Sequence, residues 1–111
     1  MFATDHAPHP AARKAQGFRE SANGIIGLET AIPITYGVMV EEEGMDVADW
    51  ARAWWEMPRA ILAKSQAEVL AALRPTRITV GPPRRVDPDS FASRSRNCPY
   101  GGMSFTCWPK A

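Results

Sequence analysis

Residues 1–4, Met-Phe-Ala-Thr, form an apolar run that stops abruptly at Asp5. Such a run reads as the end of a buried strand. A strand this short cannot stand alone, because without neighbours its backbone N–H and C=O groups go unsatisfied and it buries little surface. The run therefore predicts pairing partners that the rest of these 111 residues does not obviously supply.

The remainder divides into three zones. Residues 6–23 read as a loop, stiffened by Pro8 and Pro10, with Phe18 expected to anchor it to the body. From Leu28 the apolar residues Leu28, Ile32, Tyr36, Met39 and Val40 recur at helical steps and predict one buried face. Pro33 falls about one turn in, where its missing N–H is best tolerated. Gly44 should end this helix. The preceding Glu41, Glu42 and Glu43 oppose the helix dipole and predict fraying. Asp46 should cap a second helix carrying Val47, Trp50, Trp54 and Met57 on one side, and Pro58 should start a third, apolar at Ala60, Ile61 and Leu62. A further helical turn is expected within residues 66–73. The last zone offers Ile78-Thr79-Val80 as a strand ended by Gly81-Pro82-Pro83, and Met103 to Trp108 as an alternating strand.

Two stretches carry chemistry. In Thr4-Asp5-His6-Ala7-Pro8-His9 a carboxylate sits at the C-terminal end of a strand, before a proline-stiffened loop, which is where barrel enzymes place catalytic groups. Asp5 suits metal ligation and general base work; His9 suits an anionic substrate group or acid catalysis. The spacing is none of the strong zinc patterns, and an isolated Asp and His are commonly structural or solvated. In Asn23-Gly24-Ile25-Ile26-Gly27-Leu28-Glu29-Thr30, glycines at a helix start allow either close approach to a ligand or simple packing.

Taken in order, these stretches resemble the end of the barrel in class I dihydroorotases of the amidohydrolase superfamily. Lys14 and Phe18 fall between them, and Ala31-Ile32-Pro33 extends the second. Met57-Pro58-Arg59-Ala60-Ile61-Leu62 is similar to the family's Asn-Pro-Ala-Arg-Ile-Leu helix. Phe91-Ala92-Ser93-Arg94-Ser95-Arg96-Asn97-Cys98-Pro99-Tyr100-Gly101-Gly102 is similar to its C-terminal Ser-Lys/Arg-x-x-Asn-Thr-Pro-Phe-x-Gly signature.

The resemblance implies an α/β chain: the C-terminal fragment of a (β/α)8 barrel, with the last strand, its loop and following helices over residues 1–73. Residues 74–111 would be the remnant of a small β-subdomain, and the whole is helix-rich as it stands. It implies a zinc-dependent cyclic amide hydrolase that interconverts N-carbamoyl-L-aspartate and dihydroorotate in pyrimidine biosynthesis, with two zinc ions in the complete enzyme. Asp5 would ligate one zinc and carry a proton to the leaving nitrogen. His9 would bind the substrate carboxylate, and Asn23 and Gly24 would meet the substrate ring through their backbone. For the full-length protein it implies a homo-oligomer or an aspartate transcarbamoylase partner.

The departures are informative. Asn23 replaces the commoner Phe and makes an Asn-Gly-Ile pattern shared with dihydropyrimidinases and hydantoinases, so a related cyclic amide, the allantoinase type included, is the alternative substrate class. Thr76-Arg77-Ile78-Thr79-Val80 stands in place of the usual Ala-Asp-Leu strand, and Cys98 in place of Thr. The chain has two histidines, both close to Asp5, and so cannot supply the family's full ligand set. It is expected to be a fragment that is inactive alone, or a non-catalytic scaffold partner of aspartate transcarbamoylase. A small helical interaction module is the third reading, with Trp50, Trp54 and Trp55 as core aromatics or partner surface.

Composition narrows the partners. With 45% hydrophobic and 23% charged residues and a net charge of +1, the chain is of ordinary globular make-up. The arginines of the last third, from Arg74 to Arg96, lack aromatic interleaving and read as a solvated face rather than a nucleic-acid surface. Cys98 and Cys107 are too far apart for a CxxC site. Neither a signal peptide nor a membrane span is legible, and the expectation is a cytoplasmic chain with free thiols that binds neither nucleic acid nor membrane.

Overall fold

A computed structural model describes residues 1–62, 65, 67, 68 and 77–110. The helical turn expected within 66–73 and the domain boundary at 73/74 lie outside the described residues or at their edge.

Residues 1–4 make no strand ladder. Among the described residues the expected strand has no neighbour to exchange hydrogen bonds with, and the run is held by packing instead. The Phe2 ring lies 5.3 Å from that of Trp54, and a Cβ on Gly27 would sit 3.2 Å from the Thr4 carbonyl. The loop that follows contains two single turns of helix, α1 (Ala11–Lys14) and α2 (Gly17–Glu20). Phe18 does not anchor it: α2 buries nothing, and Phe18 is 101% exposed.

Helix α3 (Ala31–Tyr36) starts one turn later than the apolar pattern suggests, leaving Leu28 exposed, and buries Pro33. It runs on into a π-helical segment, Gly37–Glu42. The acidic end is thus wound rather than frayed. Glu41 explains part of this, because its carboxylate accepts a hydrogen bond from the Thr106 hydroxyl. Gly44 then breaks the winding with φ +72°. Asp46 caps α4 (Val47–Ile61), accepting from the Ala48 and Asp49 N–H groups. Pro58 lies inside α4 and begins no new helix; the cost is one missing backbone donor. Trp50 is the buried residue of α4, while Val47, Met57, Ile61 and Leu62 beyond it stay exposed. The indole N–H groups of Trp50 and Trp54 both reach the Thr35 hydroxyl, at 3.1 and 3.2 Å, and this joins α4 to α3.

Strands β1 (Ile78–Arg85) and β2 (Ser104–Pro109) form an antiparallel pair. The glycine and prolines do not end β1, as expected, but disrupt its register: Val80 faces Cys107 and Arg84 faces Phe105, so Gly81, Pro82 and Pro83 together oppose Thr106. Prolines cannot donate to a ladder, and a bulge is how a strand carries them. β1 is exposed throughout, whereas β2 turns Phe105 and Cys107 inward. Gly37 permits this docking, since a Cβ there would lie 3.1 Å from the Phe105 ring. The core gathers Ile26, Trp50, Val86, Phe105 and Cys107. Among the described residues no helix is long and apolar enough to cross a membrane.

The thiols are unbridged. Burial, with the Glu41 charge second, pushes the Cys107 thiol up to about 11. A thiolate-selective reagent at pH 8 is therefore expected to modify Cys98 in the native chain and Cys107 only in denaturant. Mass spectrometry counting the labels checks this; two rapid labels without denaturant would contradict the packing of β2.

Candidate functional site

The candidate residues fall on three segments far apart in sequence: the loop 5–9, the turn 23–28, and the stretch 93–97. Backbone bonds join the first two, with Ala7 N–H donating to the Ile25 carbonyl at 2.8 Å, and join the third to them, with Ile26 N–H donating to Asn97 O at 3.2 Å.

Asp5 is the one non-glycine residue of positive φ among the described residues, at +45°. Aspartate tolerates this left-handed region better than most residues. Its side chain is exposed. His9 is half-buried, and its Nε2 lies 2.7 Å from the Asn23 carbonyl. A carbonyl only accepts, so Nε2 carries the proton, and Nδ1 is the ring atom left for a ligand. An anionic group would meet that atom only as an N–H donor. The His9 backbone is clamped as well: the buried Ser95 hydroxyl donates to its carbonyl at 2.8 Å.

Gly24 has φ +103°, and a Cβ there would lie 2.5 Å from the Ala7 Cβ. Its carbonyl accepts from Asn97 Nδ2 at 3.1 Å and Lys14 Nζ at 3.2 Å. Asn97 Nδ2 also donates to the Ala7 carbonyl at 3.1 Å, so a single amide ties two segments together. Gly24→Ala meets both a backbone penalty and a clash, and is expected to lower stability by about 1–3 kcal/mol through backbone strain, with the clash adding to it. Denaturant unfolding checks this; an unchanged midpoint would mean that the turn is not built as described.

The structure brings His9, Asn23 and Gly24 together, with Asp5 at the head of the same loop. Sequence reasoning assigned no work to Ser93, Ser95 and Asn97. The signal was present: in Ser93-Arg94-Ser95-Arg96-Asn97 small polar residues alternate with arginines, the period of an extended segment. The serines and Asn97 turn inward while Arg94 and Arg96 are exposed, and Arg96 pairs with Asp89 at 3.1 Å. A cleft of about 410 Å³ opens between His9, Lys14 and this stretch.

His6, unassigned from sequence, is fully engaged. Its Nδ1 accepts from the Gly27 and Leu28 N–H groups at 3.1 and 3.2 Å, and its Nε2 lies 3.2 Å from the Ser93 hydroxyl. Glu29 Oε1 accepts from Ser93 N–H at 2.8 Å. Burial raises the Glu29 carboxyl, but the bonds from Ser93, with His6 nearby, outweigh it and hold the group below the usual glutamate range. With both nitrogens of His6 spent and Nε2 of His9 committed, these residues do not fit a two-metal centre by themselves. Among the described residues no three His, Cys, Asp or Glu side chains come together to hold a metal ion.

No family model matches the chain. Individual proteins do, and bacterial dihydroorotases are among them. That of Bacillus caldolyticus is 37% identical over 112 residues, covering 98% of this chain and 26% of the relative. That of Halalkalibacterium halodurans is 34% identical over 119 residues, covering all of this chain and 26% of the relative. That of Syntrophotalea carbinolica is 39% identical over 104 residues, covering 91% of this chain and 24% of the relative. The chain spans about a quarter of the length of the curated relatives it matches.

Proposed function

We propose that this chain, homologous to dihydroorotases along nearly its whole length, forms the C-terminal part of such an enzyme and contributes one catalytic carboxylate and part of the substrate pocket. The observation that carries the reading is the collinear match itself, at 33–39% identity. The way segments 5–9, 23–28 and 93–97 meet around His9 and Gly24 supports it.

On this reading the substrate is dihydroorotate or N-carbamoyl-L-aspartate. Asp5, exposed at the head of its loop, is the group that takes a proton and returns it to the leaving nitrogen. It is also the chain's one contribution to the zinc pair, whose other ligands lie outside these residues. His9 offers Nδ1 to the substrate carboxylate. The Asn23 carbonyl fixes the orientation of that ring, and Gly24 lets the backbone approach the substrate ring where a side chain would intrude. Work in pyrimidine biosynthesis in the cytoplasm, and assembly with further copies or with aspartate transcarbamoylase, belong to the same reading.

A graft tests it: this chain replaces the homologous quarter of the Bacillus caldolyticus dihydroorotase, and dihydroorotate turnover is measured. The expected result is turnover by the graft and none by the 111-residue chain alone. A folded, metal-loaded graft without activity would sink the proposal, as would chelator-sensitive turnover by the chain alone.

A further inference from the structure

We infer that His6, Ser93 and Glu29 form a positioning chain that fixes the backbone at Asp5 and the turn 27–28, so that the C-terminal segment sets the geometry of the catalytic loop. The inference deepens the reading proposed above and rests on it for its kinetic arm.

The ring of His6 is held from both sides. Two backbone N–H groups, of Gly27 and Leu28, point at Nδ1. Both can only donate, so Nδ1 is bare and the ring proton sits on Nε2, from which it is donated to the Ser93 oxygen at 3.2 Å. Glu29 is tied to Ser93 through the backbone N–H, which its Oε1 accepts at 2.8 Å, while its Oε2 is buried without a partner. This direction of donation excludes a nucleophilic serine. His6 gives its proton to Ser93 and so cannot take one from it, as a general base must.

The consequence falls on the residue before His6. Asp5 holds φ +45°, a conformation that persists when surrounding contacts over-determine it. A neighbouring side chain tethered to three backbone or side-chain groups is such a contact set, and its anchor lies 87 residues away. Glu29 completes the tie 64 residues from Ser93, just before α3. None of the three touches substrate on the proposed reading; they act through Asp5.

The test has two arms. In the first, ¹⁵N-labelled chain and graft are examined for the His6 tautomer. Nδ1 unprotonated with Nε2–H is expected, and in Ser93→Ala amide exchange at Gly27 and Leu28 should rise about tenfold, the loss of roughly one hydrogen bond. In the second, Ser93→Ala and Glu29→Ala in the graft should lower kcat about 10–100-fold with KM moving less than about twofold. Glu29→Gln keeps an acceptor for the Ser93 N–H and should recover most of the loss, which also settles the matter if Ser93→Ala fails to fold. A His6 proton on Nδ1, or an active graft indifferent to Ser93→Ala and Glu29→Ala, overturns the inference. A graft inactive in every version defeats the proposed function instead, and the tautomer alone then decides this one.

Discussion

Asp5→Asn in the graft is expected to lower kcat by about 10²–10⁴-fold, the range for removing a general acid–base group, while KM changes little. The amide keeps the size and left-handed backbone preference of aspartate, so the loop should survive; what it loses is the ability to accept and return a proton. His9→Ala should divide the kinetics the other way. It removes a charge-assisted contact worth about 1.5–3 kcal/mol, or roughly 10–100-fold in KM, with kcat nearly intact. The structure sharpens this contrast. His9 is anchored through Nε2 to the Asn23 carbonyl at 2.7 Å, so its deletion also frees the turn that carries Gly24. Steady-state kinetics of both variants would check the division, and equal losses in kcat with unchanged KM would count against it.

How much of this was legible from sequence differs between site and fold. His9 could be singled out because local chemistry marks it, as a histidine between prolines just after Asp5, whereas Asn23 and Gly24 took their expected roles only from the family resemblance. The Asp46 cap and strand β2 were legible for the same reason, as short-range hydrogen bonding and period-2 alternation are written locally. The errors about burial share one cause. Phe18, Ile61 and the run 1–4 read as buried because apolar residues in a complete domain usually are, whereas Phe18 and Ile61 lie in water and the run 1–4 joins no ladder. Pro58 was taken to start a new helix and Pro82 to end a strand, yet one helix and one bulged strand carry them at the cost of a backbone donor or two. Ser93 and Asn97 were missed as clamps because their partners lie 87 and 90 residues upstream, a separation that spacing rules cannot see.

The 111-residue chain alone is expected to be marginally stable and to self-associate. A compact monomer of 12.2 kDa exposes about 6,100 Å² by the usual scaling, and this chain exposes 7968 Å². Its radius of gyration, 15.7 Å, exceeds the roughly 13 Å of a compact chain of this length. Much of the excess is apolar: Leu28 at 61%, Ile61 at 65% and Leu62 at 68% lie in water, and β1 is an exposed edge. Ile32, Tyr36 and Val40 on α3 and the π-helical segment are half-buried rather than buried. Each such side chain forgoes part of the about 1.5–3 kcal/mol that full burial would contribute. Several together approach the about 5–15 kcal/mol total stability of an ordinary domain. What remains is a small core of Ile26, Trp50, Val86, Phe105 and Cys107, with the Tyr36–Trp50 edge contact at 5.3 Å beside it. Near-ultraviolet circular dichroism should therefore show a broad transition at low temperature, and size-exclusion chromatography an apparent mass that rises with concentration. In the graft the same tryptophan signals should melt sharply and at higher temperature, because the exposed faces are covered. A monomer of the isolated chain that unfolds cooperatively above the usual mesophilic range would mean that these residues are a self-sufficient domain, and the partial-barrel reading would fall with it.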